Sequence, residues 1–196
     1  MTRHNAGFKL AESLATKYGA DFRNNSSLHG AVARTRSGGH DLVLLKPHTY
    51  MNLSGKAVQA TLHWFKIEAG CLLVAHDDVS LPLGVIRFQR GGGAGGQHGV
   101  ESILASLPGA SFDRLKIGVG PDPGGARRAD YVLSAPPAED LPLYAAVIEK
   151  AAEGVTAWIR DGMSIAMNKY NGVNLANERG SVDTVFDGQN ETKECH

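Results

Sequence analysis

Leu72-Leu73-Val74-Ala75-His76-Asp77-Asp78 is a run of aliphatic residues that stops abruptly at a histidine and two carboxylates. A half-exposed strand would alternate polar and apolar residues, so the unbroken run reads as a strand buried on both faces of a parallel sheet. In open α/β sheets ligands bind beyond the carboxyl ends of the strands, which puts Asp77 and Asp78 where a carboxylate can orient or charge a reacting group. The competing reading is structural. Both aspartates also stand at the head of Val79-Ser80-Leu81-Pro82-Leu83-Gly84, a segment with the composition of a turn.

Working outward, the flanking segments have the periodicities of an α/β domain. Towards the amino terminus, Phe8, Ala11, Leu14, Ala15 and Tyr18 recur at helical spacing, and Gly19 is placed to end that helix. His4 then lies at the helix amino terminus, where the positive end of the dipole is expected to keep its imidazole neutral; a His-Asn pair that merely caps the helix is the alternative. Gly30–Thr35 and Leu42–Pro47 read as a hairpin closed by Ser37-Gly38-Gly39-His40-Asp41. The segment Thr49–Asn52 falls on the loop into a helix carrying Val58, Leu62 and Phe65. Asn52 offers an amide and Tyr50 an aromatic ring there, whereas Met51 and Leu53 equally suit core plugs and Asn52 a cap.

Towards the carboxyl terminus, Val85–Arg90 alternates apolar and basic residues as a strand with one packed face. It enters the glycine-rich loop Gly91–Gly99 and then a helix through Val100, Ile103, Leu104 and Leu107. Such a loop lets backbone N–H groups approach a phosphate or a bulky ligand. A dinucleotide site would also need an acidic residue about 20 positions on at the end of the next strand. Only Asp122, inside a Pro-Gly turn, is available, so no nucleotide cofactor is expected. Leu115–Gly120 is a further strand, and a long helix through Leu143, Val147, Ala151, Val155 and Trp158 ends near Gly162. A short helical segment through Ile165, Ala166 and Lys169 closes the core. We expect one domain over residues 1–170, an α/β fold with a mixed twisted sheet and helices on both faces, and a disordered tail over 171–196.

Composition narrows the function. Twenty basic and twenty acidic residues in 196 cancel, so any contact with a polyanion must be a local patch. Cys71 and Cys195 are far apart and form no metal-ligand spacing, which suits a reducing compartment. With neither a signal-like start nor an apolar stretch of spanning length, a cytoplasmic monomer without metal, cofactor or membrane attachment is expected.

Four segments together resemble bacterial-type peptidyl-tRNA hydrolase. They are Thr2-Arg3-His4-Asn5-Ala6-Gly7, Pro47–Gly55, Val74–Asp78 with Leu81-Pro82-Leu83-Gly84, and the Gly91–Gly99 loop. The resemblance implies hydrolysis of the ester joining a nascent peptide to tRNA, which recycles the tRNA. Carried over residue by residue, it implies His4 as the base that activates water, Asp77 as the partner of His4, and Asn52 as a donor to the substrate carbonyl or the tRNA end. Tyr50 and Met51 then line the pocket, and Arg87, Arg90 and Lys116 near the glycine-rich loop hold tRNA phosphates; for these three a solvated strand face is the competing explanation. His98 stands where the family usually carries an asparagine. The family also opens with a strand and a Gly-Asn-Pro-Gly loop that do not precede His4 here, which leads us to expect open strand edges in mid-sheet. An active hydrolase and a catalytically silent RNA-binding relative are both compatible with these features.

Overall fold

The computed structural model describes residues 2–121, 124–125 and 127–180. A 3-10 turn over Arg3–Asn5 leads into α1 (Ala6–Lys17). Then come β1 (Arg23–Asn25), β2 (Gly30–Ser37), β3 (His40–Pro47) and α2 (Ser54–Phe65). The second half is β4 (Leu73–Pro82), β5 (Ile86–Arg90), α3 (His98–Ser106), β6 (Asp113–Gly120), α4 (Arg127–Leu133), α5 (Leu141–Asp161), α6 (Met163–Tyr170) and α7 (Leu175–Gly180). Helix α1 ends as its glycine requires, with Gly19 at φ +62°.

Helices lie on both faces of a β layer. Because side chains alternate across a strand, adjacent residues of β3 and β4 reach opposite cores. Leu44, Leu73 and Ala75 join the larger core under α1, α5 and α6, with Phe88, Leu115, Ile117 and Val147 at its centre. Leu45, Leu72 and Val74 join the smaller one under α2 and α3, built on Val58, Leu62, Val100, Ile103 and Phe112.

The β layer is two sheets rather than one. An antiparallel sheet has the order β1-β2-β3, and a mixed sheet the order β4-β6-β5, with β4 parallel and β5 antiparallel to β6. Among the described residues, strands β3 and β4 are therefore both edges. The Leu72–Asp78 run is covered on both faces as expected, Leu73 and Ala75 by the larger core and Leu72 and Val74 by the smaller, but as an edge strand it leaves Leu73, Val74, Ala75 and His76 only half-buried. Nor does the strand stop at the aspartates, since β4 runs on to Pro82.

The chain also stays on the domain past Tyr170, where the tail was expected to begin. The Asn171 side chain accepts a hydrogen bond from the Phe88 N–H at 2.7 Å and donates to the Phe88 carbonyl at 2.9 Å. It thus closes the outer edge of β5 as a neighbouring strand would. Val85 and Asn174 form an isolated bridge, and Leu175 is buried. Residues 181–196, including Cys195, and Asp122 lie outside the described residues.

Asn171→Ala would leave both Phe88 backbone groups without these partners, at a cost of about 1 to 3 kcal/mol. The expected result is a melting temperature lower by roughly 2 to 10 °C, measured by circular dichroism. An unchanged melting temperature would show that β5 does not depend on this contact.

Candidate active site

Asp77 is the centre of the site. It sits on β4, is only 3% exposed, and its carboxylate therefore needs partners, because a buried unpaired charge is strongly disfavoured. Oδ1 lies 3.0 Å from His4 Nδ1. The Gln97 amide donates to the same oxygen at 3.1 Å and to the Asp77 carbonyl at 2.9 Å. The resulting group joins three distant segments, namely the turn before α1, the end of the apolar run in β4, and the glycine-rich loop at the start of α3.

Local sequence explains how His4 gets there. Gly7 lies against β4 so closely that a Cβ on it would stand 2.5 Å from the Ala75 carbonyl oxygen. Only glycine lets the start of α1 approach the strand at that point. From the other side Arg3, itself buried, holds the same turn. Its guanidinium donates to Ser134 Oγ at 2.6 Å and to the Ala135 carbonyl at 3.0 Å, and it stacks 4.2 Å from the centre of the Tyr131 ring. Its backbone N–H donates to the Ser134 carbonyl.

The electrostatics differ from the dipole argument. The hydrogen bond to Asp77 raises the His4 pKa above its ordinary 6.5, against partial burial and with the charge of Asp77 adding to the effect. A carboxylate in direct contact outweighs the dipole of the short turn before α1. With Nδ1–H given to Asp77, Nε2 is the free nitrogen of the neutral ring. Tyr144, buried beneath the pair, has its phenol pushed up to about 12 by burial and by the charge of Asp77.

The other expected site residues are not all gathered here. Met51 lines the same cleft as His4, Asn5, Asp77 and Gln97. Asn52 is exposed on the 3-10 turn Met51–Leu53, and Tyr50 is 83% exposed just before it. His98 is exposed at the first turn of α3, with Nδ1 3.0 Å from Glu101 Oε2. The three basic residues do not form one patch. Arg87 and Lys116 are cross-strand neighbours on one face, but Arg90, three positions along β5, points to the other face, where it donates to Ser164. Lys116 is also paired with Asp78 at 3.1 Å. Burial works against ionisation of Asp78, yet hydrogen bonds from Ser80 and Lys116 hold its pKa below the usual carboxylate value.

Sequence reasoning missed Gln97 and Arg114. Gln97 is the one long amide in a loop of small residues directly before a helix, and that contrast is its signal. Arg114 is 1% exposed. Its guanidinium donates to the carbonyls of Gly91 and Gly93, and Gly91 and Gly92 take φ of +51° and +90° in the loop that it holds. The signal was Arg114-Leu115-Lys116-Ile117, whose polar face sequence alone would assign to solvent.

A sequence profile described as Peptidyl-tRNA hydrolase matches residues 1–178. A peptidyl-tRNA hydrolase of Syntrophomonas wolfei is 43% identical over 170 residues, covering 87% of this chain and 91% of the relative. One from Thermus thermophilus is 41% identical over 175 residues, 89% of this chain and 90% of the relative. The crystal structure of the peptidyl-tRNA hydrolase from Acinetobacter baumannii superposes with a TM-score of 0.83 at 38% identity, covering 88% of each chain.

In an NMR titration, His4 is expected to show a midpoint above 6.5, falling on Asp77→Asn. Because the folded-state value is the raised one, the pair's contribution to stability is full below about 6.5 and is lost as pH rises through the folded midpoint. A midpoint unchanged by Asp77→Asn would show that the carboxylate does not set the charge of His4.

Proposed function

The chain belongs to the peptidyl-tRNA hydrolase family, and on that premise we propose how its residues hydrolyse the ester between peptide and tRNA. The single observation that carries the proposal is the 3.0 Å contact between His4 Nδ1 and Asp77 Oδ1 in a cleft lined by both residues. An activated water has to attack the ester carbonyl, and its proton has to go to a base positioned beside it. Nε2 of neutral His4 takes that proton. Asp77 holds the ring in the tautomer with Nδ1–H and stabilises the imidazolium that forms, the role that a carboxylate has in a hydrolase triad. Gln97 keeps the carboxylate aligned by donating to the same oxygen. The tetrahedral oxyanion needs a donor. Asn52, on the exposed rim, is assigned to the substrate carbonyl or the tRNA end, with Tyr50 and His98 beside it and Met51 lining the cleft. The retained His4–Asp77 pair favours this reading over a silent RNA-binding relative. Its setting is the cytoplasm, where peptidyl-tRNA released during translation is recycled.

The pair also dictates the pH dependence. Hydrolysis requires neutral His4, so the rate rises with pH through the raised pKa and then levels. Asp77→Asn moves that rise to lower pH and lowers the plateau, because an amide orients the ring without stabilising its charge.

His4→Ala is expected to lower the hydrolysis rate by about a hundredfold to ten-thousandfold while tRNA binding stays nearly intact. Turnover of peptidyl-tRNA and a filter-binding assay, done together, check this. Hydrolysis at the parent rate would remove His4 from the mechanism.

For tRNA binding we propose the face that carries Arg87 and Lys116, with Arg90 outside it. Each phosphate contact contributes roughly 0.7 to 0.9 to the slope of log affinity against log salt. Arg87→Gln is therefore expected to flatten the slope by about that amount and Arg90→Gln to leave it unchanged. A slope altered only by Arg90→Gln would place the tRNA on the opposite face.

A further inference from the structure

The hydrolytic site leaves the stretch Ala33-Arg34-Thr35-Arg36 without a role. Side chains alternate across a strand, so on β2 Ala33 enters the larger core while Arg34 and Arg36 face the other side, that of α2. Both are exposed. Arg23 on β1 joins them. It stands opposite Val32, two positions before Arg34, which puts Arg23 and Arg34 diagonally on one face of the sheet. The Arg34 guanidinium lies 5.1 Å from the centre of the ring of Phe65, the last residue of α2. Beside this row runs a shallow groove of about 250 Å³, lined by Arg34, Arg36, Asp41 and Val43 among others.

The charge of this face is one-sided. Arg36 is paired with Asp41 at 3.3 Å, but among the described residues Arg23 and Arg34 have no carboxylate partner. From Leu42 to Ile67 the chain holds three lysines and no Asp or Glu. One of the lysines, Lys66, is exposed at the left-handed cap that ends α2. Two positions before it, Trp64 is 60% exposed. An exposed indole beside guanidinium and ammonium groups matches a ligand that offers both flat π-surfaces and negative charge. Unpaired bases and their phosphates are that combination. An acidic peptide brings the charge without the rings, and a duplex keeps the faces of its bases stacked inside.

This face is also remote from the chemistry. Helix α2 has 12 residues, and at 1.5 Å each they set Trp64 roughly 15 Å from the turn that carries Asn52. Arg87 and Lys116 belong to the other sheet.

We propose that Arg23, Arg34, Lys66 and Trp64 form a second nucleic-acid site, and that its ligand is a short single-stranded segment of RNA other than the tRNA whose ester is cleaved. One unpaired base stacks on the Trp64 indole, and the phosphates on either side of it lie on Arg34, Lys66 and Arg23. Because every base has a π-face, the contact is tolerant of sequence. Arg34 is prepared for its part: packing against Phe65 restrains the guanidinium plane and leaves its N–H groups to a phosphate. Arg36, neutralised by Asp41, borders the site. This inference does not depend on the catalytic roles proposed for His4 and Asp77.

The test adds hexaadenylate to the 196-residue chain and follows tryptophan fluorescence together with the anisotropy of a labelled copy of the RNA. Trp158 is partly buried with its indole N–H on Asp113, so Trp64 is the tryptophan that RNA reaches. Saturable quenching is expected. Trp64→Ala is expected to weaken binding about 5- to 150-fold by anisotropy, and Arg34→Gln to flatten the slope of log affinity against log salt by about 0.7. Both side chains are exposed, and melting by circular dichroism checks that each variant folds. Turnover of peptidyl-tRNA is expected to keep the parent kcat/KM in both. Binding unaffected by Trp64→Ala, or equally tight binding of a six-base-pair RNA duplex, would overturn the proposal by removing the stacked base. Equal quenching by hexaglutamate would identify an acidic protein as the occupant instead. A kcat/KM lowered in both variants would assign the face to the substrate tRNA, and an absence of saturable quenching would exclude the site altogether.

Discussion

A buried carboxylate has to be satisfied, and the way Asp77 is satisfied organises the site. At 3% exposure it cannot be left to water. The protein brings it an imidazole from the first turn of the chain and an amide from a loop twenty residues further on. Several otherwise unrelated features follow from that demand. Gly7 is bare so that α1 can sit against Ala75. Arg3 is buried to fix the same turn from the far side, its guanidinium placed on the carbonyls at the end of α4. Arg114 is buried to hold the glycine-rich loop whose last residues include Gln97.

The same carboxylate stands in a cleft between the two sheets. Interiors pack like organic crystals, with few voids larger than a water molecule, yet the two sheets are held apart by about 440 Å³. Helices α1 and α2 keep their places around the gap because α1 also packs against α5 and α2 against α3. The mixed sheet β4-β6-β5 has a complete core with α5 and α6, and α2 is locked to α3 by the contact of Gly55 with Ser102. The chemistry at the cleft mouth therefore rests on a frame that is complete on one side of the gap.

Charge on the surface is arranged more sparingly than a count of basic residues implies. Of the arginines and lysines around the glycine-rich loop, Arg114 is spent on backbone carbonyls and Lys116 is paired with Asp78, which leaves Arg87 as the exposed cation of that face. A neutral protein that handles a polyanion has reason for such economy, since a broad basic field would bind nucleic acid without positioning it.

Much was legible in the sequence because it is written in local periodicity. The helix through Phe8 and Leu14, the hairpin at Gly38-Gly39, the run at Leu72 and the helix through Val147 each carry their pattern within about ten residues, and side-chain spacing translates it directly into structure. Short motifs also brought His4 and Asp77 forward, although seventy-three positions separate them. What tertiary structure alone decided are properties that depend on which segments meet. Burial and a direct contact, not the helix dipole, set the charge of His4; strand parity put Arg90 on the opposite face from Arg87; and Asn171 became part of the sheet because the edge of β5 offers it two backbone groups. Open strand edges in mid-sheet were expected from the sequence, but which strands they are, β3 and β4, only the tertiary structure decided, since no strand's own residues record who its neighbours are.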